Sequence, residues 1–572
     1  MTEEGHPIGR LLGAVGAAYP WEVEASEDLR LALEFLGQPA DPEAVVRGGY
    51  VVGAAVAACL GGLAVFASDG YRHVFALVAV AVGLLVTHVI HATPRLWAKA
   101  RRTRALGAAP DLVARAVLSM RLSPSPERAA AFTARTGEGK LATSLGEHVR
   151  ANRDAPGSGL HSFGDAWADL FPSLRRSVSL VSAAGDAPDE DRDRLLDRAL
   201  SVVMDGTRDG MAAFGARVRT PATALYAFGV LLPTALVALL PAGGAVGVAV
   251  TPASVVLLYN LVLPAAVFGA AVWLLVHRPV AFPPPAITRD HPDVPARGVL
   301  VASVAVAVGL IAAVTVAQFT PAWGPPIAGT GISVGFALWL RYGPIVSLYD
   351  RIDRVEQSLP DALTLVGRRV ANGSAVETAL AAAAAELDEP VGDLLAAGVR
   401  RQRQLQIGVE EAFLGRHGAL ERLPSPRVRG SFALLSVAAR EGRPAGTALL
   451  ALAEHVGELR GIEREAREDL AHVCRTLQTT GAFFAPMVAG ATVALAGGID
   501  ARALRADAGQ SLVWLGGPVG GYVLVLAVLL PTLSVGLTRG FDRALVGHRA
   551  GQALVCATST YLGAYLLVGQ LL

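Results

Sequence analysis

Long uncharged stretches alternate along this chain with strongly charged ones. Residues 221–276 and 298–340 contain no Asp, Glu, Lys or Arg. About 20 apolar residues cross a hydrocarbon core of about 30 Å, so each stretch is long enough for two helical spans. Breaks at Pro241-Ala242-Gly243-Gly244 and Pro321-Ala322-Trp323-Gly324 fold each into a hairpin. Further apolar runs at 50–67, 74–90, 480–496, 511–535 and 553–572 bring the expected total to nine spans. The pattern predicts an all-α, polytopic helical membrane protein.

Two charged segments, 92–220 and 341–478, are far longer than a connecting loop and need structure of their own. Both read as helical bundles. In the second, Pro360 sits at an expected first helical position and Asn372-Gly373 at the stop. Ser374 with Glu377 has the spacing of a capping box. Leu423-Pro424-Ser425-Pro426 opens another helix that Gly442 and Pro444 end. A last helix starts near Gly446, with Leu452, Val456, Leu459, Ile462, Ala466, Leu470, Val473 and Leu477 recurring every three or four residues, and it leads straight into the seventh span.

The two charged segments are also alike. At a shift of 250, Pro110-Asp111 falls on Pro360-Asp361, Glu127 on Glu377 and Val149-Arg150 on Val399-Arg400. With small gaps, Phe171-Pro172-Ser173 meets Leu423-Pro424-Ser425 and Arg175 meets Arg427. Pro233 then matches Pro486, and Leu263-Pro264 matches Leu530-Pro531. The chain reads as a tandem duplication with parallel repeats. Its expected segments are an amino-terminal helical part (1–49), a membrane hairpin (50–91), a first helical module (92–220), a hairpin (221–276), a linker (277–297), a hairpin (298–340), a second module (341–478), a hairpin (479–535), a loop (536–552) and a last span (553–572).

Composition agrees: 52% of the 572 residues are hydrophobic and 17% charged, where soluble proteins carry about 25% charge. Fifty basic against 49 acidic residues leave no global attraction to nucleic acid or anionic lipid, so what matters is where the charges sit. Orientation follows from basic residues beside the spans. Arg95, Lys99, Arg101, Arg102 and Arg104, with no acid among them, place that end in the cytoplasm. Alternation then puts both modules and the amino terminus inside and the carboxyl terminus outside, in a plasma membrane. No early apolar core marks a signal peptide. The three cysteines lack metal-ligand spacing and read as packing residues.

Candidate chemistry is sparse. Thr136-Gly137-Glu138-Gly139-Lys140-Leu141 has Ala134 and Leu141 where a phosphate-binding loop needs Gly and Ser or Thr, so it reads as a turn. His88 and His91 share a helix face without a third ligand. No metal, cofactor or catalytic constellation emerges, and the chain reads as non-enzymatic. Gly331 with Gly335, Gly516 with Gly520 and Gly517 with Gly521 have the spacing of close helix packing. Arginine clusters are the remaining handle for an acidic partner: Arg368-Arg369, Arg400-Arg401-Arg403, Arg427 with Arg429, Arg440-Glu441 with Arg443, and Arg175-Arg176 in the first module.

The stretch LPSPRVRGSFALLSVAAREGRPAGTALLALAEHV, residues 423–456, resembles the F-type domain of type II secretion and type IV pilus systems, with Glu441, Gly446 and Leu449 at comparable positions of its Gly-Glu-x-x-Gly-x-Leu turn and Arg440 in place of the first Gly. LPDALTLVGRRVANGSAVETAL, residues 359–380, is similar to that domain's opening helix pair, and the first module resembles a degenerate copy. The fused duplication looks most like the archaeal platform proteins of pili and archaella, related to the Tad-type platform. The resemblance implies a membrane platform between a cytoplasmic hexameric secretion ATPase and pilin-like subunits, with a second copy of the chain as a further partner and no cofactor. A parallel-repeat permease is the alternative reading.

Overall fold

The computed structural model describes residues 15–571 apart from 17, 38–40, 65–71, 138, 153–158, 246–250, 279–286, 288–290, 295–297, 442–444 and 504–511. No strand occurs among the described residues, and nine of their helices are long and apolar enough to cross a membrane. The protein is an all-α, polytopic helical membrane protein.

The chain divides into two compact units, 1–104 and 105–572. The first holds α1 (Glu27–Leu36), α2 (Pro42–Ala64) and most of α3 (Arg72–Leu106). Helices α2 and α3 cross where glycine allows it: a Cβ on Gly53 would lie 2.6 Å from the Gly83 carbonyl.

The second unit opens with α4 (Ala109–Leu122), α5 (Pro126–Thr136), α6 (Lys140–Ala151), α7 (Leu160–Ala166), α8 (Pro172–Ala183) and α9 (Asp189–Tyr226). A single π turn, Ala227–Leu231, joins α9 to α10 (Leu232–Ala245). The next span is α11 (Pro252–Leu257), a second π turn (Leu258–Val262) and α12 (Leu263–Val276). Then come α13 (Gly298–Ala317) and α14 (Gly324–Ala371), whose 48 residues run from the membrane into the second module. That module continues with α15 (Val376–Glu386), α16 (Val391–Leu405), α17 (Val409–Leu414), α18 (Pro426–Glu441) and α19 (Ala445–Thr479). A third π turn, Thr480–Phe484, leads into α20 (Ala485–Ala503), followed by α21 (Gly516–Arg539) and α22 (Arg543–Leu571).

The succession α4 to α9 is thus repeated by the end of α14 and α15 to α19. Helix α15 lies 250 residues after α5 at both ends, and a π turn closes α9 and α19 alike. Each of the three π turns is centred four residues before a proline: Gly229 before Pro233, Asn260 before Pro264, Ala482 before Pro486. Proline offers no N–H to that carbonyl and its ring crowds it, and one widened turn relieves both conflicts without breaking the helix. Pro531 crosses α21 without a π turn, so the sequence match of Leu263-Pro264 with Leu530-Pro531 does not extend to backbone form.

Two sequence expectations fail locally. Pro360 does not start a helix, because α14 passes through it. Ser374 does not cap α15 either: Gly373, at φ 94°, and Ser374 spend their N–H groups on the carbonyls of Val370 and Arg369 to close α14, and Ala375 becomes the cap.

In the membrane part, α21 is largely buried and packs against α12, α19, α20 and α22, while α14 lies between α13 and α22. The glycine pairs serve these crossings. A Cβ on Gly335 would lie 2.9 Å from the Gly551 carbonyl, and Gly331, Gly516 and Gly520 abut Thr558, Trp323 and Ile327.

Candidate functional site

Helices α14 and α19 pack side by side as they descend from the membrane, well beyond the apolar parts of the spans. Between them, where α18 begins, lies a buried charge network. Arg427, in the first turn of α18, places Nη1 2.9 Å from Glu356 of α14 and Nη2 2.6 Å from Glu463 of α19. Its Nε lies 4.0 Å from Asp111 of α4, in the other module. Arg460, one turn before Glu463, donates from Nη1 to the Asp353 carboxylate at 2.9 Å and from Nη2 to the Asp353 carbonyl at 2.8 Å. Arg467 lies 3.7 Å from Glu463.

The sequence builds this locally. Ser425 accepts from the Val428 N–H as an N-cap and donates its hydroxyl proton to Glu356 at 2.7 Å, which fixes the carboxylate that Arg427 meets. Arg115 of α4 donates to the carbonyls of Thr136 and Pro426, stitching the first module to the cap of α18. Gly430 makes room for it, since a Cβ there would lie 2.3 Å from the guanidinium.

Electrostatics match the geometry. Burial disfavours the charge on Arg427, but Glu463, Glu356 and Asp111 outweigh it and hold the guanidinium firmly protonated. Burial likewise disfavours the Asp353 carboxylate, yet its hydrogen bond and attraction to Arg460 keep its pKa below the usual range. Burial lowers the pKa of Arg467, with Arg539 adding to the effect against Glu463. His455 of α19 is 3% exposed, and neither ring nitrogen has a hydrogen-bond partner. Desolvation pushes its pKa down to about 4, so the ring is neutral at pH 7.

The expected partner-facing arginines divide on this structure. Arg427 is a correction: its side chain is 14% exposed and committed to internal carboxylates. Removing it would leave Glu356 and Glu463 only their longer contacts with Arg460 and Arg467, at a cost approaching the roughly 3 to 5 kcal/mol typical of a broken buried pair. Arg368 is exposed on α14, whereas its neighbour Arg369 is half-buried and pairs with Glu386. Arg429 is half-buried. Arg175, the sequence counterpart of Arg427, is exposed and pairs with Asp165 at 2.8 Å, and Arg176 is exposed and donates to Ser173. The side chains of Arg440 and Glu441, and Arg443 as a whole, lie outside the described residues. Gly446 and Leu449 do meet structural demands: a Cβ on Gly446 would lie 2.5 Å from the Ala371 nitrogen, and Leu449 is buried.

His91 donates from Nε2 to the Val46 carbonyl, 3.0 Å away, and no group of three metal-ligating side chains occurs among the described residues. Thr136 ends α5 and Lys140 begins α6, with Gly137 and Gly139 between the two helices and Glu138 outside the described residues. Sequence reasoning missed Asp353, Glu356, Arg460, Glu463 and Asp111. The available signal was charge intruding on an apolar stripe, with Arg460 and Glu463 set among Leu459, Ile462 and Ala466. Comparison with models of protein families, with curated proteins and with solved structures finds no match for this chain.

Proposed function

We propose that this chain is the integral membrane platform of a type IV pilus or type II secretion-like assembly machine, set in the plasma membrane with its amino terminus and both modules in the cytoplasm. It couples a cytoplasmic hexameric secretion ATPase to the insertion of pilin-like subunits into a filament. One observation carries the reading: two modules with the same succession of helices each end in a helix that enters a membrane span through a single π turn. A helix of 35 residues such as α19 transmits displacement over roughly 50 Å at 1.5 Å per residue. The charge network ties α19 to α14, so a push on the second module reaches two membrane helices together. Exposed arginines such as Arg368 and Arg400 offer charge to an acidic partner without disturbing that network.

The test is genetic and biochemical. Deleting the gene abolishes surface filaments, and Arg368→Glu with Arg400→Glu lowers recovery of the secretion ATPase with the membrane fraction while the platform itself stays at its normal level. Normal filaments in the deletion strain, or saturable solute uptake by the purified protein in vesicles, overturn the reading.

A further inference from the structure

The duplication supplies an internal control for a cluster that the proposed function does not use. Directly after its apolar part, α3 carries Arg95, Lys99, Arg101, Arg102 and Arg104 without an acid. The matching stretch of α14, 250 residues on, carries Arg351 and Arg354 against Asp350 and Asp353. Residues 95–104 therefore hold a formal charge of +5 (four Arg and one Lys), and residues 345–354 hold 0 (two Arg less two Asp). Arg95 and Lys99 stand where the second copy has Ile345 and Tyr349, both buried in its packing. The helix forms in both settings, so the fold itself does not call for the five cations.

Their surroundings show what they lack. Arg95, Lys99, Arg101 and Arg104 are exposed, and among the described residues none has a carboxylate within 4.0 Å. Arg101 lies over the Trp97 ring at 4.8 Å, and Trp97 is itself 37% exposed at the level where aromatic side chains meet a membrane surface. Arg95 and Lys99 lie on one side of the helix and Arg101 and Arg104 on another, so the four surround the helix end. At 1.5 Å per residue, Arg95 to Arg104 spans about 14 Å, and long side chains that reach back toward the surface bring all four to within about one Debye length of it.

We infer that Arg95, Lys99, Arg101 and Arg104 form a binding site for the phosphodiester headgroups of anionic phospholipids. Four unneutralised cations beside an apolar span complement an anionic bilayer surface and together enrich anionic headgroups beside this helix end several-fold. Arg102, over the Phe35 ring at 4.8 Å, is held back by its contact with α1.

The experiment uses the full chain in phosphatidylcholine vesicles, alone or mixed with phosphatidylglycerol, with spin-labelled forms of each lipid as probes. The wild type favours the labelled phosphatidylglycerol several-fold, and added salt weakens that preference. Arg95→Gln, Lys99→Gln, Arg101→Gln and Arg104→Gln together bring it close to one, while Arg351→Gln with Arg354→Gln leaves it unchanged. Should the fourfold variant fail to insert, Lys99→Gln and Arg101→Gln singly each reduce the preference. An unaltered preference in the fourfold variant, or in both single variants, overturns the site and leaves these residues as determinants of orientation alone. An equal loss in the second-copy variant overturns it too.

Discussion

His455 is poorly accommodated in the second module, because a neutral imidazole is buried there with neither ring nitrogen hydrogen-bonded. Asp111 and Arg115 of α4 and Arg427 of α18 are the charged groups whose fields reach it, and the two arginines oppose its protonation. Its pKa falls from 6.5 in the unfolded chain to about 4 in the folded one. Between those values the unfolded chain binds a proton that the folded chain refuses, so stability is full above about pH 6.5 and declines as pH falls toward 4, by up to about 3 kcal/mol. His455→Leu removes this dependence and, having no ring nitrogens to desolvate, also stabilises at neutral pH. Thermal unfolding of both proteins in detergent across this range checks it: the melting temperatures diverge as pH falls. Parallel curves would assign the acid response to other groups.

At the scale of elements, the π turn ahead of Pro233 shows how a membrane helix stays satisfied in a medium without water. Pro233 leaves the Gly229 carbonyl without its i+4 N–H, and the Tyr522 hydroxyl of α21 donates to it instead. Tyr259 in turn donates to the Pro233 carbonyl at 2.5 Å, and its ring meets Tyr522 edge-on at 5.8 Å. Tyr522→Phe therefore costs about 1 kcal/mol, the usual worth of a hydrogen bond between membrane helices. In a Pro233→Ala background the restored N–H serves the same carbonyl, so the same change costs less. A double-mutant cycle read by unfolding in detergent measures that coupling, and strict additivity would contradict it. The prolines and their match across the copies were legible in the sequence, whereas the π turns were not. A proline names the carbonyl it deprives, but the group that rescues it comes from a helix nearly 300 residues away.

For the whole molecule, legibility followed the range of the forces involved. Apolar runs announce spans because burial in lipid is set residue by residue, and all nine expected crossings have an apolar helix among the described residues. The shift of 250 read from Pro110-Asp111 and Pro360-Asp361 reappears as the displacement between α5 and α15. The charge network stayed hidden because Arg427 and its sequence counterpart Arg175 sit in different surroundings: Glu356 has Leu106 at the matching position, so only the second copy can bury the arginine. The two modules share their succession of helices, and whether they also share a side of the membrane is testable. Parallel repeats require both modules on one side of the membrane, consistent with the contacts of Arg115 with Pro426 and of Arg208 with Glu465. Cys474 cannot report this, since it is buried. With the three native cysteines replaced by alanine, Arg194→Cys and His417→Cys place thiols on exposed positions of the first and second modules. A membrane-impermeant maleimide then labels both from the same side: both are protected in intact cells and both react in inverted vesicles. Labelling of one from each side would separate the modules across the bilayer and remove the basis for a shared mechanical role.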